Sequence, residues 1–374
     1  MKCYYELFSN LNYDAKRIFN LLQKKGAMTK SEISTLTNVK LTTLNRIMSP
    51  LEKERIIVKY CIGTSTGGRK PIMYNINLCN FYIIGINVTD IYTEIVFTNL
   101  KLEILEKRKF DIKNENPYKL SSQIFDEINK VVCELRLDLL ELFGVGVAFS
   151  GSYCDAEYTL DEYKNIFEEK LGCTVLTQEG VNAGALAEYF YGFKGDFEST
   201  AYFDYGERIM VGSCKGKVLK MSTNLQNTFE NIIVNNNGLS TKCIKDYCSF
   251  DHIVSKFVSE VNNGKNTIIN KSLEKINYKD ICLAADKGDM LSKKIIEKAA
   301  IIFSMGLINY ANILNIKSIT LSGSMIFYSE FFYKTCEEII SKRLKVVLKK
   351  YGHFKEDTIA VGSAAFVVER CLES

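Results

Sequence analysis

A winged helix-turn-helix followed by a larger mixed α/β body is the fold class this 374-residue chain predicts. Three observations carry it. A capping box, a turn and a second amphipathic run stand near the start, in helix-turn-helix order. A Gly-rich hairpin tip with two cations follows them. The rest of the chain alternates apolar β-runs with helical periodicity and opens on three successive strands, which suggests an antiparallel edge on a parallel sheet.

The elements follow in order. Tyr13 to Lys25, with Ile18, Phe19, Leu21 and Leu22 apolar, predicts a leading helix. Thr29-Lys30-Ser31-Glu32 is a capping box, in which a Thr hydroxyl and a Glu carboxylate satisfy each other's free backbone donors. It opens a short helix with Ile33 and Leu36 inward. Thr37-Asn38-Val39 supplies the turn. Leu41, Leu44, Ile47, Met48 and Leu51 give the second helix its apolar stripe. Lys40 stands where a Ser N-cap is expected, and its charge opposes the helix dipole. Pro50 late in the helix is expected to kink it. Ile56 to Val58 and Ile72 to Tyr74 are the strands of a ribbon. Between them, Gly63 to Pro71 forms a tip ending in Arg69 and Lys70.

Asn75 to Asn80 reads as a junction, which divides the chain into residues 1–76 and 77–374. Phe81 to Val88 is a strand, with Thr93 to Leu100 and Ile104 to Ile112 as hairpin partners. Tyr118 to Leu142 is an amphipathic helix and Gly144 to Phe149 a buried strand. Leu171 to Leu176 reads as a short strand and Asn182 to Tyr191 as a helix. Tyr202 to Val211 and Lys217 to Lys220 suggest further strands. The last hundred or so residues read as helices around one strand, Ser318 to Leu321.

The twelve Cys show no paired framework, and no signal peptide is evident, which fits a reducing, cytoplasmic setting. The longest apolar run, Ala299 to Ile316, is broken by Ser304, Asn309, Asn312 and Asn315. It reads as a buried helix, and no membrane partner is expected. Charge points to a different partner. Residues 1–76 hold 13 Lys+Arg and 5 Asp+Glu, a net of +8, and the remainder (35 against 39) nets −4. A basic head of this layout places one helix in a major groove of double-stranded DNA. Thr42, Thr43, Asn45 and Arg46 lie on the outward face of that helix, where Arg or Asn reads base edges. Arg69 and Lys70 are expected on phosphate or in the minor groove.

Several motifs along nearly the whole chain, taken in order and spacing, resemble the ROK family, which contains sugar-responsive repressors and sugar kinases. They are Ser65 to Pro71, Gly144 to Ala148, Asn182 to Glu188, Ile319 to Gly323 and Val361 to Ala365. The resemblance implies an actin-like sugar-kinase fold of two lobes around a cleft, preceded by the winged helix. It also implies a homodimer or homotetramer that releases DNA on binding a sugar or a protein.

The family's chemistry depends on residues this chain lacks. Asn87-Val88-Thr89 stands where an active kinase has an Asp and glycines for phosphate and metal. Gly180 occupies the position of the catalytic base, and Glu179 is one residue off and expected to point elsewhere. Cys243 and Cys248 match the last two Cys of the family's zinc site, but Thr241 and Asn231 replace its other two ligands, leaving too few for a tetrahedral site. His252 is the one nearby substitute. Thr228 and Phe250 replace sugar-contacting acids, and the phosphate turn is reduced to Tyr205-Gly206-Glu207-Arg208. Asn182 and Glu188 survive, Asn182 as a helix cap and Glu188 facing solvent. Glu179, Gly180, Asn182, Glu188 and Asn231 therefore mark a candidate ligand cleft with no catalytic residue, metal or cofactor. The expected function is DNA-binding regulation, chiefly repression, on a pseudokinase body. The alternatives are a sugar kinase with a fused DNA-binding head and a ligand-independent scaffold.

Overall fold

The computed structural model describes residues 4–62, 71–112, 116–151, 158–215, 229–236 and 241–373. The chain divides into two compact units. The first is Met1–Ala183 together with Ile359–Ser374, and the second is Gly184–Thr358.

The first unit begins with α1 (Tyr4–Ser9), α2 (Tyr13–Lys25), β1 (Met28–Thr29), α3 (Lys30–Thr37), α4 (Leu41–Lys53), β2 (Ile57–Ile62) and β3 (Ile72–Ile76). The capping box forms as its residues dictate: Glu32 accepts from the Thr29 N–H at 2.7 Å, and the Thr29 hydroxyl accepts from the Glu32 N–H. Asn38 ends α3 in the left-handed region at φ 56°, and the Ser34 hydroxyl donates to the Val39 carbonyl across the turn. The three strands pair as β1-β3-β2. Two inward expectations fail at the rim, because Leu36 and Leu41 are about half exposed. The true core is Ile33, Leu44, Ile47, Met48 and Leu51, all at 5% exposure or less. Lys40 caps α4 without a side-chain bond, and the helix runs through Pro50 to Lys53.

Next come β4 (Tyr82–Val88), β5 (Tyr92–Asn99), β6 (Ile104–Asp111), α5 (Pro117–Leu135), β7 (Leu142–Phe149), α6 (Leu160–Leu171), β8 (Val175–Glu179) and α7 (Gly180–Ala187). They form a five-stranded sheet, β6-β5-β4-β7-β8, antiparallel at its β6 and β5 side and parallel from β4 to β8. The predicted helix to Leu142 stops earlier, at Leu135, where Arg136 turns left-handed (φ 53°) and Leu142 opens β7. Leu171 closes α6 instead of opening a strand, so β8 starts at Val175.

The second unit takes up the end of α7, which runs into a π-helical turn at Glu188–Gly192. It continues with β9 (Ser199–Tyr205), β10 (Ile209–Lys215), β11 (Ile233–Asn236), β12 (Thr241–Cys243), α8 (Lys245–Cys248), α9 (Phe250–Asn262), α10 (Tyr278–Asp286), α11 (Met290–Leu314), β13 (Ser318–Ser322), α12 (Ser324–Tyr328), α13 (Glu330–Ser341) and β14 (Val347–Lys350). The order of its main sheet is β10-β9-β13-β14. β14 is a second strand in a region predicted to hold one. The proposed strand Lys217 to Lys220 and the hairpin tip with Arg69 and Lys70 lie outside the described residues. A large core of phenylalanines, Phe203, Phe229, Phe257, Phe303 and Phe332, fills this unit.

Helix α14 (Thr358–Glu373) belongs to the first unit and lies on its five-stranded sheet. The glycines of the sheet permit this. A Cβ on Gly85 would sit 2.1 Å from the Ala360 carbonyl oxygen, and one on Gly146 would sit 2.0 Å from that of Ser363. The Ser363 hydroxyl also accepts from the Ile86 N–H at 2.9 Å. Helix α1 docks on the same unit: Phe8 meets Phe19 (4.6 Å) and Phe143 (5.3 Å) edge to face, and Tyr4 meets Phe81 (4.6 Å). Gln23 donates to the Leu100 carbonyl at 2.6 Å, and Lys24 pairs with Glu369 of α14 at 3.4 Å.

Candidate nucleic-acid interface and ligand site

The buried stripe of α4 leaves its other face to solvent. Thr42, Asn45 and Arg46 are exposed and Thr43 is half-buried. Arg46 makes no ion pair or hydrogen bond with any described residue, so its guanidinium fork is free for a base edge. Asn45 is less free than its position suggests. Its side-chain oxygen accepts from Lys30 Nζ at 2.6 Å, which leaves its amide group to donate. Lys30 is itself held over the Tyr74 ring at 4.7 Å and lies 3.9 Å from Glu52. Sequence reasoning missed this orienting role, because it joins residues fifteen positions apart on two helices.

In the first unit the carboxyl ends of β4, β7 and β8 gather polar side chains, the place where open α/β sheets bind ligands. Asn87 accepts from the Ser150 hydroxyl at 3.0 Å, and Asn182 donates to Glu179 at 3.0 Å. All four are at most 8% exposed. Burial raises the Glu179 carboxyl to about 7, against the lowering pull of the Asn182 amide. Asn182 lies inside α7 and bonds Glu179, so it is not the helix cap it was expected to be. Gly180 has no room for a side chain: a Cβ there would stand 2.0 Å from Ser150 Oγ and 3.4 Å from an Ile359 methyl. Ser150 therefore occupies the space a base at position 180 would need.

Glu188 and Asn231 belong to the second unit. Glu188 was expected to face solvent and is instead fully buried. Its carboxylate accepts from the His353 N–H at 2.6 Å and the Thr320 hydroxyl at 3.3 Å, bracing the π-turn against β13 and the segment after β14. Burial raises its pKa, and the His353 bond and the Lys349 charge oppose that rise. Asn231 is exposed in the turn leading into β11. Phe250 is stacked between Tyr278 (3.6 Å) and Tyr205 (5.9 Å), so this wall is aromatic instead of acidic. It borders an open groove of about 1030 Å³, also lined by Glu207, Arg208, Ser249 and Asn277. Arg208 of the former phosphate turn is paired with Glu230 at 3.2 Å. Thr228 lies outside the described residues.

Cys248 is fully buried. Its thiol donates to the Ala299 carbonyl at 3.4 Å, and burial pushes its pKa well above the usual thiol range. Cys243 is half-buried, and its N–H is taken by Asp246. Among the described residues no group of three or more His, Cys, Asp or Glu side chains converges to hold a metal ion. Among them, too, no helix is long and apolar enough to cross a membrane.

Comparison with known proteins matches the same two parts. The profile of a winged helix-turn-helix DNA-binding domain matches residues 15–58, and that of the ROK family matches residues 83–369. The xylose repressor of Caldicellulosiruptor bescii is 23% identical over 92% of each chain. The DNA-binding transcriptional dual regulator NagC of Escherichia coli is 20% identical over 86% of this chain and 82% of its own. Among solved structures, a ROK family transcriptional regulator described as a homologue of the E. coli MLC protein superposes with a TM-score of 0.79, at 18% identity over 96% of both chains. A ROK family glucokinase from Streptomyces griseus superposes at 0.60, with 18% identity over 76% of this chain and 98% of its own. The actin-like sugar-kinase fold is thus present, and with three quarters of its length matched by the family profile, the chain belongs to the ROK family.

Proposed function

We propose that the chain is a sequence-specific, DNA-binding transcriptional repressor, with residues 1–76 as the DNA-binding domain and 77–374 as a catalytically inactive effector and oligomerisation body. It acts in the cytoplasm as a homodimer or homotetramer, since one head reads one half-site. Thr42, Thr43, Asn45 and Arg46 read bases, and Arg69 and Lys70 hold the backbone. The observation that carries this reading is Arg46, without a partner among the described residues on the open face of α4, within a head of net charge +8. The name of the xylose repressor, similar over 92% of each chain, supports it.

Gly180, with Ser150 in the space of the missing base, favours loss of phosphoryl transfer, and no zinc is held at Cys243 and Cys248. The effector differs from the neutral sugars of the family's usual pocket, because Gly180, Thr228, Asn231 and Phe250 replace its hydrogen-bonding groups. Mapping the genomic fragments bound by the purified protein tests the reading. Sites with a repeated half-site, lost on Arg46→Ala, are expected. Binding without sequence preference would overturn it, as would ATP-dependent formation of hexose phosphate.

A further inference from the structure

Glu179 stands in the polar corner formed by the ends of β4, β7 and β8, and it is only 8% exposed. One of its oxygens accepts from Asn182, and the other accepts nothing from any described residue. No lysine, arginine or histidine among the described residues contributes to its field; burial and the Asn182 amide are what act on it. Ser150 and Asn87 complete the corner with a hydroxyl and an amide.

Buried carboxylates are ordinarily paired with a cation or tied down by several donors. This one has a single neutral donor and an open oxygen. A neutral hydroxyl would leave the charge uncompensated, whereas an ammonium group would compensate it and donate to the open oxygen. The surrounding amides and hydroxyl suit the hydroxyl groups of the same ligand.

We propose that this corner binds a small hydroxylated ligand carrying a primary ammonium group, of the amino-sugar type, with Glu179 as the counter-ion. The proposal rests on the effector reading above and gives that effector a charge.

Calorimetric titration of the full-length protein with matched pairs tests it: glucosamine with glucose, galactosamine with galactose, and mannosamine with mannose. At least one amino sugar is expected to bind at least about tenfold tighter than its neutral partner. Glu179→Gln, which keeps size and shape, is expected to reduce that preference to within about twofold. A thermal melt no lower than that of the parent protein establishes that the variant is folded. Where it melts lower, Glu179→Met, of similar volume and without charge, replaces it, and the same loss of preference is expected. Equal affinities within every pair, no binding by any amino sugar, or a preference that survives the substitutions would overturn the proposal. Release of operator DNA by a neutral sugar, unchanged in Glu179→Gln, would leave the effector reading standing and remove only the charge. Failure of the unliganded protein to bind any operator would instead count against the effector reading itself.

Discussion

Single residues carry both halves of the functional reading. At the DNA face, Arg46→Ala is expected to cost roughly 1–3 kcal/mol of operator binding and to relax preference at one base position, as gel-shift titration on variant sites would reveal. Lys70→Ala is expected to weaken all sequences alike. In the body, Gly180→Asp alone is expected to restore no ATP-dependent phosphorylation of glucose and to lower the melting temperature, because the new Cβ meets Ser150 Oγ at 2.0 Å. Adding Ser150→Gly is expected to recover the stability but not the activity. Kinase activity in the single variant would contradict the steric account. Glu179 gives a pH prediction with a definite sign. Its pKa rises from 4.5 to about 7 on folding, so the folded state favours the protonated form. Its contribution is full below pH 4.5 and is lost as pH rises through 7, a loss on the order of 3 kcal/mol. Urea titrations across that range are expected to fall less steeply for Glu179→Gln. The sequence shows a glycine at position 180, where the resemblance implies a base. The part played by Ser150 was not legible there, because its contact joins residues thirty positions apart.

At the scale of elements, the strongest local signals were legible. The Thr29 capping box, the stripe of α4 from Leu44 to Leu51 and the β4-β5-β6 run stand where their patterns place them. The misses have physical reasons. Helix α1 has six residues, too few for a periodic signal, and it exists through Phe8 against Phe19 and Phe143. Strand β14 has only four residues, Val347-Leu348-Lys349-Lys350, and two lysines at a sheet edge cut short the apolar run that would mark it. Helix α6 did carry its signal, a second capping box from Thr159 to Glu162, which the sequence reading passed over. Phe8→Ala is expected to cost about 3–5 kcal/mol by opening the seat between the head and the five-stranded sheet. Chemical denaturation followed separately at the head and the body would check it. Equal stability in the variant would mean that α1 is ornamental.

At the scale of the whole molecule, charge asymmetry sets how the protein meets DNA. The +8 head on a −4 body is expected to give an operator binding constant whose logarithm falls linearly with that of the salt concentration, with a slope reduced by about one for each of Arg69→Ala and Lys70→Ala. Filter binding over a range of potassium chloride concentrations would measure it, and a flat salt response would show that phosphate contacts are few.

The return of α14 to the first sheet governs how the protein is made. The faces of Gly85 and Gly146 are ready once β7 has left the ribosome, yet the helix that covers them follows the entire second unit. At the usual 5–20 residues per second, that delay is roughly 10–45 s. During it the DNA-binding head rests on a sheet with one face bare, a state open to chaperones and proteases. A premature stop anywhere in Ile359–Glu373 would therefore damage the DNA-binding unit at the far end of the chain, through the lost floor of its sheet.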